Sequence, residues 1–318
     1  EWKFFDLNQI INSNIKNLSF FNNCLVPTKN EESIDIKSFE HNKIIIINGF
    51  VSTVNFDHEE KKKVEVEQDL NFIENNEKSN ILISLNDALL SSYTKITVKK
   101  NYSLNKPLII YNITNSKLNA TAVNFRSDVV LEEGSSLKLV TMSSDNSKDN
   151  FININQNFKL AKNSILKNYK IDSISNSNIK YFFNNIDLDY NSLAETFIFS
   201  KASKFIKNEV ICNLRGEYSS AFINGVINLE DAKHHEIKTN INHLAENTKS
   251  YQLIKCVLNG NSKGVYQGKI FVDSKAQKTD GYQLSKALLL SENTEFDAKP
   301  ELEIYADDVK CSHGSTSG

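Results

Sequence analysis

One period runs through most of this chain. From about residue 108 onward, short β-rich runs alternate with polar turns. The turn-entering residues Leu131, Leu160, Leu188 and Leu214 are separated by 29, 28 and 26 residues. Further on, Leu229, Leu244 and Leu258 recur at intervals of 15 and 14, followed by Asp273-Ser-Lys-Ala276 and Leu290-Ser-Glu-Asn293. About 15 residues hold one strand, a turn and part of a second strand, and roughly 28 to 30 make a full coil. Strand after strand at a fixed period, without helices, is the signature of a β-solenoid, whose coils bury their inward side chains only against the coils above and below. A β-sandwich would show turns every 8–12 residues or so and no such superperiod. The alternation agrees. In Tyr251-Gln-Leu-Ile-Lys-Cys-Val-Leu258, residues 252, 254, 256 and 258 share a face, and three of these four are apolar. Cys256 therefore reads as a core residue.

The region before residue 108 has a different character, and the chain divides into an N-terminal α/β segment over 1–107 and a solenoid core over 108–318. Ile10, Ile11, Ile15 and Leu18 lie at helical spacing. Lys43-Ile-Ile-Ile-Ile47 reads as a buried strand ending in the turn pair Asn48-Gly49. Residues 57–80 form a charged stretch with Lys61, Lys62 and Lys63 in a row, expected to be a solvated or frayed loop. Leu82–Tyr93 resembles a helix, and Ile96–Val98 and Pro107–Tyr111 read as strands.

Composition removes several classes of function. The net charge is −2, and of 37 basic residues only Arg126 and Arg215 are arginines, so an arginine-based reader of phosphates or bases is not expected. The apolar runs Ile44–Ile47 and Ala287–Leu290 fall far short of the ~20 residues a spanning helix needs. Glu1-Trp-Lys-Phe-Phe5 does not have the form of a signal peptide. Cys24, Cys212, Cys256 and Cys311 are widely spaced, without a C-x-x-C pair, which fits a reduced, cytoplasm-like compartment. Asparagine is abundant, at 43 residues against 10 glycines, and can occupy left-handed turn positions in place of glycine.

Few residues offer chemistry. Gly264-Val-Tyr-Gln-Gly268-Lys269 resembles a phosphate-binding loop, but it has three intervening residues instead of four and lacks the following Ser or Thr. His234 and His235 are adjacent, so on a strand they face opposite ways. The expected arrangement is one toward solvent and one stacked on a neighbouring coil, with His243 nearby. Ala276–Asp280 is a polar turn without a nucleophile–base pair. Asp307 and Asp308, if on a strand, point to opposite faces and cannot act as a carboxylate pair. Cys311 and His313 are two apart on an expected strand and so share a face. A thiol and an imidazole there suit a soft or borderline metal such as iron, but two ligands do not make a site.

Leu302-Glu-Ile-Tyr-Ala-Asp-Asp-Val-Lys-Cys-Ser-His-Gly-Ser-Thr316 resembles the signature of the SufB/SufD family of iron–sulfur cluster assembly subunits. Gly264–Ile270, Ala276–Asp280, Gln283, Leu288–Ser291, Ser250–Lys255, His235, His243, Ile46–Phe50, Leu85–Ala88 and Lys106–Ile109 are similar to residues of that family too. The resemblance is nearer to the SufD side. Ser285 stands roughly where SufB members carry a cysteine, and His313-Gly-Ser-Thr316 replaces their His-Glu-Ala-Thr.

The resemblance implies a right-handed parallel β-helix. It implies a non-catalytic scaffold role, pairing with SufB and acting with the ATPase SufC, and leaves a homodimer open for the isolated chain. It implies that His313, with Cys311 close by, helps hold a transient iron–sulfur cluster or its iron at the SufB interface, with other ligands from the partner and no nucleotide on this chain. A cytoplasmic location follows, with a plastid as the alternative. The helical C-terminal segment of the family is not expected within these residues. Two other readings remain. One is a β-helix carbohydrate-active enzyme or adhesin; the other is a zinc-only structural site at Cys311 and His313.

Overall fold

A computed structural model describes residues 19–20, 37–69, 80–90, 92–114, 120–145, 148–172, 177–201 and 203–318. The helix expected within 1–22 and Cys24 lie outside these residues. In chain order the strands are β1 (Ser19–Phe20), β2 (Asn42–Ile47), β3 (Phe50–Asn55), β4 (Val64–Asp69), β5 (Tyr93–Val98), β6 (Leu108–Thr114) and β7 (Thr121–Leu131). They continue with β8 (Ser136–Asp145), β9 (Phe151–Leu160), β10 (Ile165–Asp172), β11 (Ile179–Leu188), β12 (Leu193–Ser200), β13 (Phe205–Leu214) and β14 (Ser220–Leu229). The last six are β15 (His234–His243), β16 (Lys249–Leu258), β17 (Lys263–Val272), β18 (Thr279–Leu289), β19 (Glu295–Ile304) and β20 (Val309–Ser317). One helix, α1 (Ile81–Leu89), lies between β4 and β5.

From β6 onward the chain crosses between two sheets at every step. Odd-numbered strands build one sheet, ending at β19, and even-numbered strands build the other, ending at β20. All neighbours from β6 to β20 are parallel. The result is a parallel β-solenoid of about seven turns, the all-β architecture that the period implies. The earlier strands belong to the same sheets: β2 pairs parallel with β6, and β5 with β7. At that end each sheet finishes with an antiparallel strand, β3 on β2 and β4 on β5.

The leucine period has a direct physical meaning. Leu131, Leu160, Leu188 and Leu214 are register partners in successive coils and form one inward column, each at most 2% exposed. Leu229 and Leu258 are partners in the other sheet, so the half-period of about 15 residues reflects the alternation between sheets. After each such leucine the chain turns through a left-handed residue. Gly134, Asn163, Asn191, Tyr218, Asn247 and Lys278 occupy equivalent corners with φ between 51° and 67°. A serine or threonine then closes several of these turns by donating to a carbonyl three residues earlier, as in Ser164 to Ala161 at 2.7 Å and Ser192 to Asp189 at 2.6 Å.

α1 sits on the outer face of the odd-numbered sheet. Its N-cap is Asn80, whose side chain accepts from the Leu82 amide at 2.9 Å. Asn86 is buried and donates to the Asn153 carbonyl at 2.9 Å, while Asn153 donates back to the Leu82 carbonyl at 2.8 Å. Arg126 clamps the helix through Asp87 at 2.6 Å.

Three expectations need correction. The helix stops at Leu89 instead of Tyr93, because Tyr93-Thr-Lys-Ile-Thr-Val98 is β-branched and aromatic and joins the sheet as β5. The charged stretch is not simply a solvated loop. Val64-Glu-Val-Glu alternates and becomes β4, and Glu60 is 2% exposed, accepting from the amides of Asn105 at 2.7 Å and Lys106 at 3.3 Å and from the Asn42 side chain. Asp307 and Asp308 lie in the bend between β19 and β20, not on a strand, and both are exposed.

Leu188 is held between Leu160 and Leu214 in the inward column. Leu188→Ala is expected to destabilise the chain by about 2–5 kcal/mol, because a coil in a stack cannot collapse freely into the void. Denaturant unfolding checks this.

Candidate functional site

Histidine placement separates the buried histidines of the stack from the exposed one on its last described strand. His235 is fully buried inside the solenoid, 2.9 Å from Ser200 Oγ and 2.8 Å from the Ser203 carbonyl. His243 is equally buried, 2.7 Å from Thr248 Oγ1 and 2.8 Å from Ser250 Oγ. Both rings have polar neighbours at both nitrogens. Loss of hydration pushes His235 down to about 3 and His243 down to about 4, so both stay neutral inside the stack. His234 points outward and pairs with Glu236 at 3.1 Å. The opposite-face reading of the histidine pair therefore holds, as does that of Cys256, which is 2% exposed with its thiol pushed up to about 12 by burial.

Gly264–Lys269 lies within β17 and not in a loop before a helix. Its lysine pairs with Glu303, so no phosphate cradle forms.

Cys311 and His313 do share a face. In β20 they are register partners of Gly281 and Gln283 in β18, both buried inward residues. Cys311, His313 and Ser315 accordingly point to the solenoid interior, and Ser285 Oγ donates to Ser315 Oγ at 2.9 Å. β20 is the end strand of its sheet, so these inward groups have no coil stacked above them within these residues. His313 is exposed and Cys311 half-buried. The cysteine packs closely on Gly281, where an added Cβ would come within 3.2 Å of Cys311 Sγ and push the sulfur by a few tenths of an ångström. Burial pushes the Cys311 thiol up, partly offset by a hydrogen bond from the Gly281 backbone.

Beneath His313 lies a polar column that sequence reading did not anticipate. Gln252, Gln283 and His313 occupy the same register position in β16, β18 and β20. From the facing sheet Tyr266 inserts its hydroxyl between the amides, 3.2 Å from Gln252 Oε1 and 3.5 Å from Gln283 Oε1. Thr239 donates to Gln252 as well. Gly268 is what admits this arrangement, since a Cβ there would lie 2.2 Å from Gln283 Oε1 and 2.4 Å from Tyr266 Oη. The available signal was the inward parity of residues 252, 266, 268 and 283, each two-residue alternation carrying a polar or glycine residue where an aliphatic one is usual.

As a metal site the arrangement is incomplete. Among the described residues no three His, Cys, Asp or Glu side chains converge to hold an ion. Cys311 and His313 offer two donors of types that suit iron, on the inward face of the last described strand.

Two outcomes follow from this geometry. Both interior histidines have folded pKa values below the ordinary one of 6.5, so their stabilisation is complete above that value and is lost as pH falls toward 4. Unfolding free energy at pH 4.5 should drop by up to about 2–3 kcal/mol per histidine relative to pH 7, and His243→Gln should remove about one proton from the slope. Denaturant melts across this pH range measure it. Gly268→Ala should cost about 1–3 kcal/mol by overpacking, with Gln283→Ala in the same chain relieving only part of it, because Tyr266 Oη stays 2.4 Å from the new Cβ. A thermal double-mutant cycle decides.

Residues 111–318 match the family model described as SUF system FeS cluster assembly, SufBD core domain. The iron–sulfur cluster assembly protein SufD of Escherichia coli K12 is 29% identical over 241 residues, covering 75% of this chain and 57% of that protein. A SufBD family protein of Synechocystis, slr0076, is 43% identical over 83 residues, covering 26% of this chain and 17% of its own. Protein ABCI7, chloroplastic, of Arabidopsis thaliana is 43% identical over 67 residues, covering 21% of this chain and 14% of its own. The chain thus spans little more than half the length of the E. coli relative. With the family model covering both sheets of the solenoid and the β20 signature, the chain belongs to the SufB/SufD family of iron–sulfur cluster assembly proteins, on its SufD-like side.

Proposed function

We propose that this chain is a non-catalytic scaffold of iron–sulfur cluster assembly that pairs with SufB and works with the SufC ATPase. The carrying observation is the contrast among histidines. His235 and His243 are locked inside the stack, whereas His313 faces the interior side of the terminal strand and remains exposed. In this reading the nascent cluster, or its iron, is cargo held between subunits. His313 supplies one imidazole, Cys311 stands beside it, and the remaining ligands come from SufB. A two-donor half-site suits a shared site, because neither subunit then holds the cargo alone. The bacterial and chloroplast relatives support a cytoplasmic setting or its plastid counterpart. No helix among the described residues is long and apolar enough to cross a membrane.

The test is co-expression with SufB and SufC, followed by anaerobic iron and sulfide analysis. His313→Ala should leave folding and SufB pairing intact while lowering bound iron and sulfide about tenfold or more, as loss of a metal ligand does. Wild-type cluster content in that variant would remove His313 from the site. Cys311→Ser with the same loss would make the thiol a ligand; unchanged content would leave it a packing residue against Gly281.

A further inference from the structure

The two outer faces of the solenoid treat their lysines differently. On the odd-numbered sheet, Lys207 meets Glu236 at 3.0 Å, Lys238 meets Glu209 at 2.9 Å, and Lys263 meets Glu295 at 2.6 Å and Asp297 at 2.9 Å. Each acid sits one coil away from its lysine. Among the described residues, on the even-numbered sheet from β8 to β20 only Lys167 has such a partner, Glu195 at 3.0 Å. Lys138, Lys249, Lys255, Lys286 and Lys310 are exposed there, with Asp280 the one other outward acid on these strands. Lys255 and Lys286 are direct register partners. Like charges opposite each other on adjacent strands are destabilising, and among the described residues no acid forms an ion pair with either lysine.

Beside these lysines the same face is apolar. Phe222, Tyr251 and Tyr282 are register neighbours on β14, β16 and β18, and the two tyrosine rings stack with centroids 5.2 Å apart. Leu253 and Leu284 form the next column, between the tyrosines and the lysine pair. Toward β10 the strip opens into a cavity of about 370 Å³ lined by Tyr169, Glu195, Thr196, Phe197, Phe222 and Asn224. Half-exposed aromatic and leucine side chains beside the Lys255–Lys286 pair, with Lys249 and Lys310 sharing the single Asp280 on the other flank, match a surface that is apolar and acidic at once.

We infer that the outer face of the even-numbered sheet docks an acidic amphipathic segment of a partner protein, its apolar side chains over Tyr251, Tyr282, Leu253 and Leu284 and its carboxylates at Lys255 and Lys286. Charge complementarity chooses this occupant. A second copy would bring an equally basic face and be repelled. Single-stranded nucleic acid needs free ring faces for base stacking, and Tyr251 and Tyr282 stack on each other instead; neither arginine of the chain lies on this face. The docking face is independent of the proposed role of His313, which points to the opposite side of its sheet.

Zero-length carbodiimide coupling tests the inference, because it joins a lysine to a carboxylate only when the two are in contact. The full-length protein is purified with its bound partners, coupled, and its cross-linked peptides sequenced. Lys255 and Lys286 should be joined to Asp or Glu in one apolar-acidic segment of a partner. Lys255→Glu with Lys286→Glu should reduce retention of that partner about tenfold at low salt with the melting temperature unchanged, and Tyr282→Ser should reduce it similarly while the chain stays folded. Cross-links confined to Asp280 or to a second copy overturn the inference, as do undiminished retention in the charge-reversed chain and release of the bound material by nuclease. Normal cluster content in the charge-reversed chain would leave the His313 reading standing, so the two proposals fail separately.

Discussion

Coil-on-coil stacking of inward side chains is the interaction on which everything else here rests. Every strand from β6 to β20 hydrogen-bonds to the strands one coil away, so residues 26 to 32 apart in sequence become register neighbours. A side chain that suits its neighbour above and below is repeated; one that does not is excluded. This is why Leu131, Leu160, Leu188 and Leu214 align, and why the corner asparagines also align, with Asn191 donating to Asn163 at 2.8 Å. Stability in such an array is nearly a sum of neighbour terms, and a site can be placed on one coil without rebuilding the others.

The interior is not uniformly apolar, and its polar residues are matched to position. Lys180 and Asp172 form a fully buried ion pair at 2.6 Å, and Lys170 sits over the Phe182 ring and bonds Asn208. Burial pushes Lys170 well below the usual lysine range. Buried ion pairs of this kind are seldom a net source of stability compared with apolar packing, so their effect falls on specificity. In a repetitive stack a slip by one coil would preserve most apolar contacts, but it would separate the buried Lys180 from Asp172, and a buried charge parted from its counter-charge is costly.

Much of the fold was legible from residues 108–318 because the period is long, regular and carried by residues of one type. Leucine marks strand ends in an otherwise polar, asparagine-rich context. The face shared by Cys311 and His313 was legible for the same reason, since two-residue alternation is geometric. What alternation could not reveal was which end of the stack those residues occupy, or that Gln283 and Tyr266 lie under them, because both facts depend on the pairing of strands from different sheets. The charged stretch misled for a related reason. Glu60 looks solvated among its lysines, yet backbone amides 45 residues away at Asn105 remove it from water.

The antiparallel strands β3 and β4 close one end of both sheets. A further coil stacked there would meet a strand of reversed direction, so it could not repeat the relation that joins the other coils. A solenoid able to accept parallel strands at both ends would pair head to tail without limit, like any heterologous contact that fails to close. Reversing one strand per sheet makes that edge unlike every other rung of the stack, so the repeat that would let one solenoid continue into the next is broken there.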